Sequence, residues 1–153
     1  MHISVQTEDF DISNELKRLH GNNASIGAVV SFIGLVRDLG EQQELLAMEL
    51  EHYPGMTEKS LLMIAEEAKQ RWRLIDCLII HRVGKLQAMD QIVLVAAASA
   101  HRGDAFAACE FMMDYLKTEA PFWKKETTPD GAHWVDARVS DDTAMAKWKN
   151  KEK

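Results

Sequence analysis

Residues 57–72 carry the clearest pattern in the chain. Leu61, Ile64, Ala65, Ala68 and Trp72 recur at spacings of three and four, while Glu58, Glu66, Lys69 and Gln70 fall on the opposite side. That period marks an amphipathic helix, which Thr57 is placed to cap. A second helix is predicted over residues 104–117 from Ala105, Ala108, Cys109, Met112, Met113 and Leu116. It must stop before Pro121, because the residue ahead of a proline avoids the helical region. A shorter helix over 11–20 has Ile12, Leu16 and Leu19 on one stripe and Asp11 or Ser13 as its N-cap.

Elsewhere the apolar positions alternate or run unbroken. Residues 1–6 alternate weakly, and Leu46, Met48 and Leu50 alternate with Ala47, Glu49 and Glu51, each stretch reading as a strand. Residues 26–37 form a Val-, Ile- and Phe-rich strand whose Gly27 and Gly34 suit a bulge or a close backbone approach. Residues 74–83 and 91–98 are two more apolar strands, the second nearly all apolar and so central, separated by a turn region with Gly84 and Met89-Asp90. Residues 122–127 alternate, and the turn Pro129-Asp130-Gly131 leads into 132–138 as a hairpin, with Trp123 read as core. From Leu46 the order is strand, helix, strand, strand, helix, strand, strand. This fits an α+β fold, a mostly antiparallel sheet packed with helices, rather than a doubly wound parallel one. One domain over 1–139 is expected, followed by a basic tail over 140–153 that is either a short dipole-matched helix or frayed.

Composition narrows the function. A length of 153 residues suits a single packed domain. A net charge of -6 disfavours a nucleic-acid binder, which needs an excess of Lys and Arg on some face. No apolar run approaches the ~20 residues that cross a bilayer. With no basic start or apolar stretch in residues 1–10, the chain reads as cytosolic, with no membrane partner. Cys77 and Cys109 form no C-x-x-C pair and read as core thiols, and the six histidines lack metal-ligand spacing, so neither a metal nor a cofactor is expected.

Cationic side chains remain as candidates for chemistry. His101 and Arg102 follow an apolar strand and open a helix, where side chains and N-terminal amides together suit an anion. They read equally well as a strand-end histidine and a solvated charge. Lys117 and Lys124 bracket T-E-A-P-F-W, and Pro121 turns the chain so that the two ammonium groups can converge. Neighbouring lysines depress each other's proton affinity and can then move protons near neutral pH, although surface lysines on a hairpin are the commoner case. Arg37 and Arg138 end strands, where either can grip a phosphate or merely solubilise the chain.

Five segments taken together are more specific than any of these singly. F-I-G-L-V-R (32–37), L-E-H-Y-P-G-M-T-E-K (50–59), I-H-R-V-G (80–84), S-A-H-R (99–102) and M-D-Y-L-K-T-E-A-P-F-W-K-K-E (113–126) closely resemble the large, catalytic subunit of molybdopterin synthase, the MoaE family. The match runs from about residue 26 to Arg138. The resemblance implies a sulfurtransferase of the α/β hammerhead type that converts cyclic pyranopterin monophosphate, precursor Z, into molybdopterin by installing two dithiolene sulfurs. It implies a small ubiquitin-like partner that brings sulfur as a C-terminal Gly-Gly thiocarboxylate, and a homodimer of large subunits within a heterotetramer. It assigns Lys117 and Lys124 to catalysis, and His101, Arg102 and Arg37 to the pterin phosphate, with Arg138 a weaker candidate. Phe32 and Met113 would shape the channel. Glu119, between the lysines, puts a negative charge where a basic residue would help draw in an anion. The competing classes are a binding module without turnover and a nucleic-acid-binding α+β domain, the latter disfavoured by the net charge.

Overall fold

The computed structural model describes residues 1–37, 47–129, 131–135, 146 and 148. Two four-stranded sheets carry the fold. The first has the order β1-β4-β6-β2, from β1 (His2–Gln6), β4 (Leu74–Arg82), β6 (Gln91–Ser99) and β2 (Ala28–Leu35). Its β1–β4 pair is parallel and the other two pairs are antiparallel. The second sheet, β5-β3-β7-β8, is antiparallel throughout and contains β3 (Ala47–His52), β5 (Gly84–Leu86), β7 (Phe122–Thr128) and β8 (Gly131–Val135). The fold is therefore α+β, as the element order predicts, but with two sheets instead of one. The turn region after residue 83 supplies a strand, β5, that its three residues were too short to announce.

The unbroken apolar runs have a simple cause: the first sheet is covered on both faces. Cys77, Ile79, Val93, Val95 and Ala97 point to α2 (Met56–Arg71) and α3 (Arg102–Glu119), meeting Leu61, Ile64, Ala65, Ala108 and Met112. The alternate residues Leu78, Ile80, Leu94, Ala96 and Ala98 face the other way, toward Phe10 and Leu19 of α1 (Ile12–His20) and the residues leading into it. Strands buried on both sides lose the in-out alternation of half-wet ones. A third cluster of Val36, Met48, Leu50, Val83 and Leu86, with Val5, Ile92 and Phe122 against it, joins the second sheet to one end of the first.

Local chemistry explains the element ends. Asp11 caps α1 by accepting from the Asn14 amide at 3.0 Å. Helix α2 starts two residues earlier than a Thr57 cap implies, because Gly55 (φ 84°) makes the turn and the Glu58 carboxylate accepts from the Gly55 N–H. Thr57, fully buried, instead bonds backward to the Tyr53 amide and carbonyl. The two glycines of the 26–37 segment serve as expected. A Cβ on Gly27 would come within 2.3 Å of the Ala100 carbonyl oxygen, and the β2–β6 register shifts between Gly34 and Leu35.

Two expectations about side chains change. Trp123 is not core: it points out of the second sheet and is 48% exposed. Trp148, within the expected tail, is buried against Trp72 and Phe111, and its indole N–H donates to Asp114. Long-range packing thus reaches Trp148 in the 140–153 segment, which the sequence reads as either a short dipole-matched helix or a frayed tail.

Candidate functional site

Helix α3 organises the site because its two ends carry different chemistry. It leaves the sheet where β2 begins, since Gly27 donates to the Ser99 carbonyl and Ala28 registers with Ser99. At its middle, the Cys109 thiol donates to the Val95 carbonyl and lies against the Phe32 backbone. It finishes where β2 ends, beside the third cluster. Lys117, in its last turn, is therefore at the same end of the molecule as Val36, Arg37 and the second sheet.

The chain then turns at Ala120 and Pro121 into β7, where period two sets the faces. Phe122, Lys124 and Glu126 share the face of β7 whose register partners are His52, Leu50 and Met48, so this lysine lies over buried residues. Its ammonium is 3.6 Å from the Glu126 carboxylate, with the Lys124 side chain 34% exposed and Glu126 buried. Two more groups complete the neighbourhood. The His81 ring stacks on Phe122, centroids 3.8 Å apart and planes 16° from parallel. His52 lies across β3 from Phe122, its Nδ1 3.6 Å from the Glu58 carboxylate.

Electrostatics tie Lys117 to the same place. Burial pushes the His81 imidazole down to about 3; the hydrogen bond to the Arg82 carbonyl opposes this, and the Lys117 and His52 charges add to it. Lys117 thus acts on the ring that stacks on Phe122, two residues before Lys124. Phe32, 41% exposed, and Met113 lie along the seam between β2 and α3. Met113 and Lys117 are four apart, one above the other on the helix. Met113 is buried in the core cluster, whereas Phe32 is left partly exposed on the edge strand of the first sheet.

His101 and Arg102 are elsewhere. His101 is the N-cap residue of α3 and Arg102 its first residue, both exposed, with no side-chain capping bond. Lys117 lies 15 residues after Arg102 on one helix, which is about 22 Å of rise. One chain brings together Lys117, Lys124 and the end of β2 that precedes the exposed Arg37, and holds His101 and Arg102 at the opposite end. Arg138 lies outside the described residues. Glu119 is solvent-exposed at the end of α3.

The sequence pattern gave His81, His52 and Glu126 no part in a site and read Thr57 only as a helix cap. All four lie in the segments I-H-R-V-G, L-E-H-Y-P-G-M-T-E-K and M-D-Y-L-K-T-E-A-P-F-W-K-K-E that carry the resemblance, but no local pattern joins them to the lysines. The cysteines read as core are core: Cys77 and Cys109 are buried, and desolvation raises their thiols to about 11 and about 12. No group of metal-ligating side chains occurs among the described residues.

Fold and site together define an α+β protein of two sheets packed with helices, with Lys117 and Lys124 near one His–Phe stack and both cysteines buried. Residues 5–119 match the family model described as MoaE protein. The chain belongs to the MoaE family. It is 64% identical over 146 residues to a molybdopterin synthase catalytic subunit of Ralstonia nicotianae, covering 95% of this chain and 83% of that one. Among solved structures, it resembles a molybdopterin biosynthesis MoaE protein from Burkholderia ambifaria, with a TM-score of 0.83 and 60% identity, covering 99% of this chain and 100% of the other. A molybdopterin synthase from Staphylococcus aureus gives a TM-score of 0.80 at 35% identity, with 86% and 95% covered.

Proposed function

We propose that the chain is the catalytic subunit of a cytosolic molybdopterin synthase, a sulfurtransferase that converts cyclic pyranopterin monophosphate into molybdopterin. The observation that carries this reading is the placement of two lysines about the His81–Phe122 stack, Lys117 acting on the His81 ring and Lys124 two residues beyond Phe122, in a chain of this family. Both described cysteines are buried with raised thiols, so sulfur comes from outside, as the thiocarboxylate tail of a small ubiquitin-like subunit. Phe32 and Met113 are assigned to the channel that would receive its extended Gly-Gly tail.

The chemistry asks for cations and proton carriers. In each of two rounds, one per sulfur, the thiocarboxylate sulfur bonds to a pterin side-chain carbon as a carbon–oxygen bond of that carbon breaks and its oxygen departs with a proton supplied by the site. Water then cleaves the acyl–sulfur bond, leaving sulfur on the pterin and returning the partner as a carboxylate. The acyl carbon passes through a tetrahedral oxyanion, which an ammonium group beside it stabilises. Lys117, in the last turn of α3, takes that role, and Lys124, held by Glu126, assists proton transfer or substrate binding.

The phosphate is assigned to Arg37 together with His101 and Arg102, with Arg138 as a further candidate. Because α3 separates Arg102 from Lys117 by about 22 Å, His101 and Arg102 serve a pocket containing Lys117 only when a second copy supplies them. This gives the homodimer within the heterotetramer a catalytic reason. Reconstitution with thiocarboxylated small subunit and precursor, followed by fluorescence of the oxidised pterin, tests the reading. Product is expected with the native chain and none with Lys117→Ala, whose fold and partner affinity should be unchanged. Native-like turnover in that variant removes the catalytic assignment.

A further inference from the structure

Two of the segments that mark the family, I-H-R-V-G and L-E-H-Y-P-G-M-T-E-K, contribute nothing to the chemistry above. In the structure they meet beneath the point where the chain leaves α3 for β7. His81 is 4% exposed, and its Nδ1–H donates to the Arg82 carbonyl at 2.8 Å, which fixes the ring's orientation and tautomer. Its flat face lies against Phe122. His52, paired with Glu58, is registered across from the same ring. The Thr57 hydroxyl, bonded to Tyr53, is 3.3 Å from the Pro121 carbonyl. Pro121 and Phe122 are thus held from below by three elements, β4, β3 and the first turn of α2.

We propose that His81 is a positioning residue for the two lysines: clamped at Nδ1 and stacked on Phe122, it sets the path by which the chain carries Lys117 and Lys124 to one pocket. The inference rests on assigning those lysines to sulfur transfer. A tilt of the Phe122 ring moves Lys124, two residues on along the same strand face, and a misplacement of about 1 Å can cost about 100-fold in rate. An aliphatic residue would fill the volume without offering a flat face. The charged groups acting on the ring are Lys117 from α3 and His52 from β3. With its proton affinity pushed down by burial, His81 stays neutral and adds no positive charge beside Lys117.

The test compares His81→Ala and His81→Phe in the full chain, with thiocarboxylated small subunit and precursor. His81→Ala is expected to lose about 10- to 100-fold in rate at saturating precursor with KM within about 3-fold. His81→Phe, which keeps a flat ring, is expected to stay within about 3-fold of the native rate. Native turnover in His81→Ala overturns the proposal, as does a loss confined to KM. So does a folded His81→Phe as slow as the lysine variants, a result that is decisive even where His81→Ala fails to fold. Nitrogen-15 shifts of the imidazole give a readout independent of turnover. The Nδ1–H neutral tautomer is expected at pH 7 and pH 5, and a protonated ring at pH 5 also overturns it. An inactive native chain would sink the sulfur-transfer reading itself, and this inference with it, whereas an active native chain with an unimpaired His81→Ala sinks only the inference.

Discussion

Purified Arg102→Ala and Lys117→Ala chains, each inactive alone, should regain activity when mixed so that subunits exchange. The expectation comes from the length of α3. Arg102 and Lys117 are the first residue and the last-turn cation of one 18-residue helix, about 22 Å apart. Bond lengths of about 1.5 Å let extended Arg and Lys side chains reach about 6–7 Å each, so together they fall short by about 9 Å. In the proposed two-fold symmetric dimer each pocket would take Lys117 from one copy and Arg102 from the other. A mixed dimer then has one pocket with both substitutions and one with neither. Random exchange at equal amounts makes about half the dimers mixed, so about a quarter of native activity returns. The converse mixture is equally informative. Native chain exchanged with an equal amount of the double variant should fall to about a quarter of native activity, against about a half if each chain carries a whole site. The assay is pterin fluorescence after reconstitution, with exchange followed by native mass spectrometry of differently tagged chains. Full exchange without recovery would refute the shared pocket.

Three further outcomes follow from the packing and titration. Phe111 is fully buried, with Trp72, Tyr115 and Trp148 around its ring and the Arg71 guanidinium 4.7 Å from its centroid. Phe111→Ala is expected to cost about 3–5 kcal/mol and to lower the calorimetric Tm by roughly 6–20 °C; a shift under a few degrees would mean that the aromatic cluster is not packed as described. His81 is held neutral down to about 3 against 6.5 ordinarily, so below pH 6.5 the unfolded chain takes up a proton that the folded one refuses. The stabilisation is complete above pH 6.5 and drains as pH falls toward 3, by up to about 1.4 kcal/mol per pH unit. Denaturant titrations from pH 7 to 4 should show His81→Phe lacking that part of the slope, and parallel curves would contradict the burial. With both thiols buried and raised, a disulfide reagent at pH 8 should label neither cysteine in the folded chain and both in guanidinium, whereas rapid labelling of the native protein would place a thiol at the surface.

Much of this protein is legible along the chain because the forces involved are short-range. The stripe of Leu61, Ile64, Ala65 and Ala68, the Asp11 cap, the break before Pro121 and the glycines of residues 26–37 are each fixed by neighbours within a few positions. The family likewise follows from five short segments in order. What the chain could not disclose depends on contacts between distant residues. Strand β5 exists because β3 offers it an edge, Trp123 faces out because its register partner is Glu51, and Trp148 is buried because Trp72 and Phe111 receive it. His81 gains a role only when β4 brings its ring under Phe122. Lys117 and Arg102 belong to adjacent motifs, and only the straight run of α3 between them reveals opposite ends of one molecule. Local periodicity decides which elements form. Distances across the fold, set by sheet register and helix length, decide which side chains can act together.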